Sequence, residues 1–117
     1  EGLEKGGKAA NIYQAPAAIV VCANKTKAWK RPFDGKITTD IDASILTDHM
    51  MLEATELGLG SVWICYFNPD ILKEELNLPE NLEPVNILAL GYSDELDASA
   101  ERHKDMRIGM DELVSYL

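Results

Sequence analysis

The fold is decided by one stretch of the sequence, His49-Met50-Met51-Leu52-Glu53-Ala54-Thr55-Glu56-Leu57-Gly58-Leu59-Gly60-Ser61-Val62-Trp63-Ile64. Its first half places apolar residues at helical spacing, and Gly58 follows where a glycine commonly ends a helix. Its second half is β-branched and aromatic, which is typical of a strand. The stretch therefore predicts a helix that passes almost directly into a strand.

The helix that ends near Gly58 begins at Thr38 or Thr39, either of which can cap its N-terminus. Asp40 and Asp42 fall in the first turn, where the partly positive amide end favours carboxylates. We therefore expect one long helix through Glu56. The apolar residues that follow its spacing are Ile41, Ile45, Leu46, Met50 or Leu52, Met51 and Leu57.

Three other runs predict strands. Residues 17–23 are continuously apolar, which is typical of a strand that is buried on both faces, and residues 85–90, apolar except for Asn86, predict another buried strand. Residues 61–67 are aromatic and β-branched, and they predict the third strand.

The remaining segments are shorter or polar. Residues 68–76 begin with an Asn-Pro pair that can cap and open a short helix. Residues 1–14 suggest a short helix, residues 24–36 a long polar loop, and residues 110–116 a last amphipathic turn. Strands that alternate with helices indicate one domain in which helices cover a sheet.

The charge balance excludes several classes of partner. Eleven basic and twenty acidic residues give a net charge of −9, which repels nucleic acid and anionic lipid. The longest apolar run, residues 15–23, contains a proline and is far shorter than the ~20 residues that a membrane span needs. We expect no nucleic-acid partner and no membrane partner.

The cysteines and histidines predict neither a disulfide nor a metal site. Cys22 and Cys65 lie in apolar, strand-like runs, and we expect reduced, buried thiols in a cytoplasmic protein. His49 and His103 are far apart, without a Cys-x-x-Cys motif nearby. His49 itself is expected to be a core or interface residue. No Ser-His-Asp set and no glycine-rich phosphate loop occurs, so we predict no catalytic side chain.

The ordered motifs resemble the nitroreductase family, in which a long apolar helix ends in Gly-Leu-Gly and passes into a strand with Trp or Pro. The resemblance covers nearly the whole chain, from Ala15 to Tyr116. The residues that carry it are 49–64, Phe67-Asn68-Pro69, Leu76-Asn77-Leu78-Pro79, 84–92, and Arg107 ahead of 110–114.

The resemblance implies an α+β, nitroreductase-like sandwich in which helices cover a mixed β-sheet. It also implies an intertwined homodimer with FMN in clefts at the subunit interface. NAD(P)H would reduce the flavin, which would pass electrons to a nitroaromatic, a quinone or a similar small aromatic acceptor.

The resemblance also implies the residues of the flavin site. In the family, main-chain groups of the strand after Gly-Leu-Gly bind the isoalloxazine ring, and this role falls by position on Trp63, Ile64, Cys65 and Tyr66. Basic side chains near the C-terminus hold the FMN phosphate. Arg107 matches best, because a guanidinium can bind phosphate through two hydrogen bonds, and Lys104 is the second candidate.

The sequence departs from the family at its N-terminal side. The family's Arg-Arg-Ser-x-Arg and Pro-Ser-x-x-Asn motifs do not occur, so residues 1–117 are expected to be the C-terminal part of a single domain that lacks its N-terminal segment. An alternative function follows from this departure: a truncated, flavin-free family member that acts as a folded dimerisation or interaction module.

Several residues keep two interpretations. Trp29 and Phe33 in the long loop could form a substrate lid or pack at a dimer interface. Cys65 is expected to be an inert thiol, because no basic partner is evident that would lower its pKa. Lys104 is as consistent with a solvated charge as with a phosphate contact.

Overall fold

A computed structural model of the chain describes residues 12–94 and 98–116, so most of the short helix expected over residues 1–14 lies outside the described part. The described elements are, in chain order, β1 (Ala17–Asn24), α1 (Thr39–Glu56), β2 (Gly60–Ile64), α2 (Pro69–Glu75), β3 (Leu82–Gly91), α3 (Arg102–Met106) and α4 (Met110–Leu113). Among them, neither α1 nor any shorter helix has the length and apolar character that a bilayer span requires.

The sheet has the strand order β1-β3-β2, and both outer strands are antiparallel to β3. The α+β class is confirmed, and the three described strands are all antiparallel, without the mixed pairing that the resemblance implied. Because β1 and β2 both run opposite to β3, their C-terminal ends lie at the same end of the sheet. Two loops therefore leave the sheet toward the same end. They are residues 25–38 after β1 and residues 65–68 after β2.

The central strand β3 is longer than the sequence predicted and includes Pro84. The pairing with β1 shifts at this point: Val21 pairs with Asn86, Cys22 pairs with Pro84, and Val85 is passed over. Pro84 also lies beyond the last pair of β2 with β3. A proline has no N–H group to donate to a neighbouring strand. It is tolerated at residue 84 because this residue lies at a bulge and beyond the end of β2, where no such hydrogen bond is needed.

The strand β2 is shorter than predicted, since it ends at Ile64 rather than at Phe67. The amide of Phe67 donates to the carbonyl oxygen of Cys65 at 3.2 Å, which turns the chain out of the sheet. The side chain of Asn68 then accepts from the amides of Asp70 and Ile71 at 3.1 and 3.2 Å, so the predicted cap of α2 is confirmed. The start of a capped helix therefore ends the strand early.

The helix α1 has the predicted bounds. Thr38 is its N-cap residue, but the Thr38 hydroxyl donates to Asp42 at 3.0 Å and does not bind a helix amide. At the other end, Gly58 has φ 74° and donates to the carbonyl oxygen of Thr55 at 3.0 Å, while Leu59 donates to that of Ala54 at 2.8 Å. This left-handed glycine is the predicted helix stop.

The face that α1 turns toward the sheet differs from the predicted apolar face. Its fully buried residues are small: Ala43, Thr47 and Ala54. Small side chains let the helix axis lie close to the strands, and the buried Thr47 hydroxyl accepts a hydrogen bond from the Asn86 amide of β3 at 3.0 Å. The large apolar residues of α1 that remain exposed are Ile41, Ile45, Leu46 and Leu52.

The apolar core lies on β3 and the elements beside it. Leu72 of α2 and Ile87 of β3 are fully buried, and they cluster with Ile12, Ile64 and Ala89. The last two helices take no part in it: within the described residues, α3 and α4 do not pack against the sheet, α1 or α2. The core therefore fixes the end of β2 but not the C-terminal segment.

Candidate functional site

The four residues proposed to border the flavin ring have different environments. Ile64 is buried, with 6% of its surface exposed, and Trp63 is half-buried. Cys65 and Tyr66 are exposed, Tyr66 to 95%. The prediction of a buried Cys65 thiol is wrong because β2 ends one residue before it, and Cys22 is only half-buried. The segment therefore passes from the core to the surface at residue 65.

The main chain of this segment carries unpaired donors. Within residues 12–94 and 98–116, the amides of Cys65 and Tyr66 donate to no other backbone group. Of their neighbours, Trp63 and Ile64 belong to the ladder with β3, in which alternate amides donate across the pair, and Phe67 donates to Cys65. Two adjacent exposed N–H groups can bind acceptor atoms of a ligand without a change in the fold.

The two basic residues proposed for the phosphate lie in the C-terminal segment. Lys104 is in α3 and forms an exposed ion pair with Glu101, and Arg107 has an extended backbone directly after that helix. Because α3 does not pack against β2, the described chain does not bring either cation to residues 63–66. Both remain exposed.

The Arg107 guanidinium lies close enough to His103 to influence it. It holds the pKa of the exposed His103 imidazole below its ordinary value, chiefly by charge repulsion, with smaller effects of burial and of Arg102. Two guanidinium groups, those of Arg102 and Arg107, therefore lie near His103, whose lowered pKa favours the neutral imidazole. Bringing an anion between them would relieve their mutual repulsion. His49, in contrast, is exposed on α1, so it lies outside the core of this chain, and its place at an interface stays a prediction.

Among the cavities lined by described residues, two open ones lie beside the sheet, and residues 63–66 do not line these two. One, of about 410 Å³, lies at the end of the sheet where β2 starts, between residues 12–16, 60–62 and 89–94. The other, of about 290 Å³, lies between the end of β1 and the start of α1, and Cys22, Lys27 and Asp42 are among its lining residues.

The sequence interpretation missed the charge of the loop between β1 and α1. Residues 25–36, here called the basic loop, contain five basic residues and one acidic residue in a chain of net charge −9. Counting charges segment by segment would have found it. The basic residues are Lys25, Lys27, Lys30, Arg31 and Lys36.

The basic loop is connected to α2 through one carboxylate. Glu83 of β3 accepts from Lys25 at 3.0 Å and from Lys73 of α2 at 3.1 Å. These two hydrogen bonds, that from Lys25 first, lower the pKa of Glu83. Burial and then the Glu83 charge raise the pKa of the nearby Cys22 thiol, so Cys22 is poorly suited to act as a nucleophile.

Comparison with known proteins identifies the same family as the sequence motifs. The model of the Nitroreductase family matches residues 3–92. A protein of Archaeoglobus fulgidus that carries the name NADH dehydrogenase/NAD(P)H nitroreductase is 40% identical over 91 residues, which is 74% of this chain and 50% of that protein.

Solved structures have the same fold. A nitroreductase family protein from Clostridium difficile 630 is 63% identical, with a TM-score of 0.91 over 98% of this chain and 65% of its own. An FMN-dependent nitroreductase from Clostridium difficile R20291 is 30% identical, with a TM-score of 0.61 over 80% of this chain and 57% of its own. The chain thus spans about half of the Archaeoglobus relative and less than two thirds of these structures.

Proposed function

The chain belongs to the nitroreductase family, and from this premise we propose that it forms part of an FMN-dependent oxidoreductase that uses NAD(P)H. The proposed acceptors are nitroaromatics, quinones or similar small aromatic compounds. The name of the Archaeoglobus relative supports the nicotinamide donor, and the FMN-dependent nitroreductase from Clostridium difficile supports the cofactor. Free cysteines, one of them exposed, fit a reducing compartment, and we propose the cytoplasm.

One observation carries the proposal: directly after β2, the amides of Cys65 and Tyr66 donate to no backbone group within residues 12–94 and 98–116. Backbone N–H groups do not titrate, and they are held here by a strand on one side and a capped helix on the other. They fit the acceptor atoms along one edge of an isoalloxazine ring. When bound, FMN supplies the redox-active ring, and the protein supplies fixed donors that favour negative charge on it.

The main chain of Trp63 and Ile64 has a different part in the proposal. Both residues pair with β3, and the buried Ile64 side chain belongs to the apolar core. They therefore hold the position and direction of the two free amides. We propose that Trp63 and Ile64 border the ring and keep the segment rigid, while Cys65 and Tyr66 donate to it.

The phosphate is proposed to bind Arg107, with Lys104 as a second cation. Both are exposed, and the charge of Arg107 lowers the pKa of the neighbouring His103. Because α3 does not pack on the sheet of its own chain, we propose that these cations complete a site at a subunit interface.

The surface of the chain supports a homodimer. On α1, Ile41, Ile45 and Leu52 form an exposed stripe on the side opposite the buried Ala43 and Ala54. We propose that this apolar stripe packs against a second copy of the chain.

The experiment is a measurement of flavin content and turnover in the purified protein. We expect a yellow protein that releases FMN on denaturation and oxidises NAD(P)H when a quinone or nitroaromatic is added. Arg107→Gln should weaken FMN binding about tenfold, because a charge-assisted contact to phosphate is lost. Lys73→Gln, which removes a cation of α2 outside this segment, is the control. A colourless protein that takes up no FMN would contradict the proposal and favour a flavin-free interaction module.

A further inference from the structure

The basic loop carries a net positive charge, whereas the rest of the chain is strongly acidic. Its twelve residues, 25–36, have a net charge of +4, while the rest of the chain has six basic and nineteen acidic residues, or −13. Charge that is segregated to this degree attracts anions to one place and repels them elsewhere. The loop is therefore where an anionic small molecule approaches this chain.

Three of its cations are available to a ligand. Arg31 is held by Asp34, and Lys25 is held by Glu83. Within the described residues, the side chains of Lys27, Lys30 and Lys36 form no salt bridge and are exposed. Ammonium groups with no carboxylate partner can bind phosphate without breaking an existing ion pair.

The loop is ordered by its own hydrogen bonds. Lys30 and Ile37 form a bridge, and the amide of Arg31 donates to the carbonyl oxygen of Lys36 at 2.8 Å. The Arg31 Nε donates to Asp34 at 2.7 Å, and the amide of Lys36 donates to the same carboxylate at 3.1 Å. The cations are thus held on a small hairpin, so binding costs less conformational entropy than on a disordered segment.

Two aromatic side chains accompany these charges. Phe33 is 95% exposed at the tip of the hairpin, and Trp29 is 58% exposed at its base. An exposed phenyl or indole face stacks on a nucleobase, and neighbouring lysines bind its phosphates. Free ammonium groups beside aromatic rings therefore fit a ligand that combines a heteroaromatic base with phosphate groups.

The loop also lies at the correct end of the sheet. Antiparallel pairing places the C-terminal ends of β1 and β2 at the end where β3 begins, so the basic loop and residues 65–66 leave the sheet in the same region. The register separates Asn24 from Ile64 by roughly 10 Å across the sheet and 16 Å along it. An extended dinucleotide covers such a span.

We infer that the basic loop binds the phosphate-bearing adenosine end of the nicotinamide nucleotide, and that it selects NADPH over NADH. This inference rests on the proposed function. NADPH differs from NADH by a 2′-phosphate, which adds a charge of about −1.5 to −2 at neutral pH. Lys27, Lys30 and Lys36 bind the phosphate groups, and Phe33 or Trp29 stacks on the adenine.

The test compares the steady-state kinetics of the flavin-loaded protein with those of a triple variant, Lys27→Gln with Lys30→Gln and Lys36→Gln. We expect KM for NADPH to rise at least about tenfold with little change in kcat, because a binding group is lost while the ring segment is intact. KM for NADH should change much less. Lys73→Gln removes a cation of α2 outside the loop and should leave both KM values unchanged.

A second measurement needs no turnover. Calorimetry with 2′,5′-ADP and with 5′-AMP should show that the unaltered protein binds 2′,5′-ADP more tightly, that salt weakens this binding, and that the triple variant loses the difference. Phe33→Ala should weaken both ligands. If the protein holds no flavin and oxidises no nicotinamide nucleotide, the proposed function fails, and this binding difference alone decides whether the loop recognises the 2′-phosphate.

Two results would overturn the inference. One is a triple variant that retains FMN, turnover and the wild-type preference between NADPH and NADH, which would leave the proposed function intact. The other is a change of oligomeric state, measured by sedimentation, in the triple variant or in Phe33→Ala. That result would assign the loop to a subunit interface.

Discussion

At the scale of single residues, the pair Thr47 and Asn86 fixes how α1 lies on the sheet. Both side chains are fully buried, and the Thr47 hydroxyl donates to the Ala43 carbonyl oxygen at 2.8 Å while it accepts from the Asn86 amide at 3.0 Å. A buried polar pair of this kind is satisfied only at one register of helix against strand. The neighbouring apolar contacts are not directional and do not fix a register in this way.

Replacing Thr47 by Val should therefore lower the free energy of unfolding by about 1–3 kcal/mol, because the Asn86 amide is left buried without a partner. Thr55→Val is the matched control, since the exposed Thr55 makes the same bond to its own helix, to Met51, at 3.0 Å. That control should change the free energy of unfolding by less than about 0.5 kcal/mol. Equal losses of unfolding free energy for Thr47→Val and Thr55→Val, measured by urea denaturation, would contradict the role of the Thr47–Asn86 pair.

Glu83 should make the free energy of unfolding weakly dependent on pH. Its pKa is lowered by hydrogen bonds from Lys25 and then Lys73, so it contributes stability above the ordinary glutamate pKa and loses that contribution as the pH falls through its folded pKa. We expect Glu83→Gln to reduce the loss of stability between about pH 5 and pH 3. The effect should shrink at high salt, because these side chains are partly exposed. An unchanged acid unfolding profile would contradict this account.

At the scale of elements, the junction between α1 and β2 depends on Gly58. Its φ of 74° is strained for a residue with a Cβ, although a Cβ there would meet nothing within 4 Å. Gly58→Ala should therefore cost about 1 kcal/mol of unfolding free energy through backbone strain alone, and Gly58→Asn should cost less. Thermal or urea unfolding of both variants measures this. A neutral Gly58→Ala would show that the turn relaxes.

The outer stripe of α1 provides a second test at this scale. Ile45→Glu places a charge in the proposed interface between two copies and should weaken dimerisation at least about tenfold in sedimentation velocity. Glu53→Lys changes a charge on the same helix away from the stripe and should leave the dimer intact. A wild-type protein that is monomeric at micromolar concentration would contradict the proposed interface.

The sequence predicted the positions of the helices and strands better than it predicted which side of α1 is buried. Helix and strand periodicity, the Asn68 cap and the Gly58 stop are local properties, and the structure confirms them. Two features were not predictable from local patterns. The end of β2 depends on a turn set by Phe67 and Asn68, and the sheet-facing side of α1 depends on the close approach of Ala43 and Thr47 to β3.

At the scale of the whole molecule, one chain presents the parts of the proposed site without bringing them together. Residues 63–66 leave the sheet at one end, while Lys104 and Arg107 belong to a segment that does not pack on that sheet. Sequence motifs gave the candidate residues, since the ring segment and the late basic residues match the family by position. Their spatial relation depends on contacts between distant segments, which no local pattern contains.

Amide hydrogen exchange of Cys65 and Tyr66, measured with and without FMN, tests the central claim most directly. Without FMN, both amides should exchange rapidly, because they are exposed and unpaired among the described residues. With FMN, both should become protected, while the amide of Phe67, already bonded to Cys65, changes little. Bound FMN that leaves the exchange of Cys65 and Tyr66 unchanged would contradict the account.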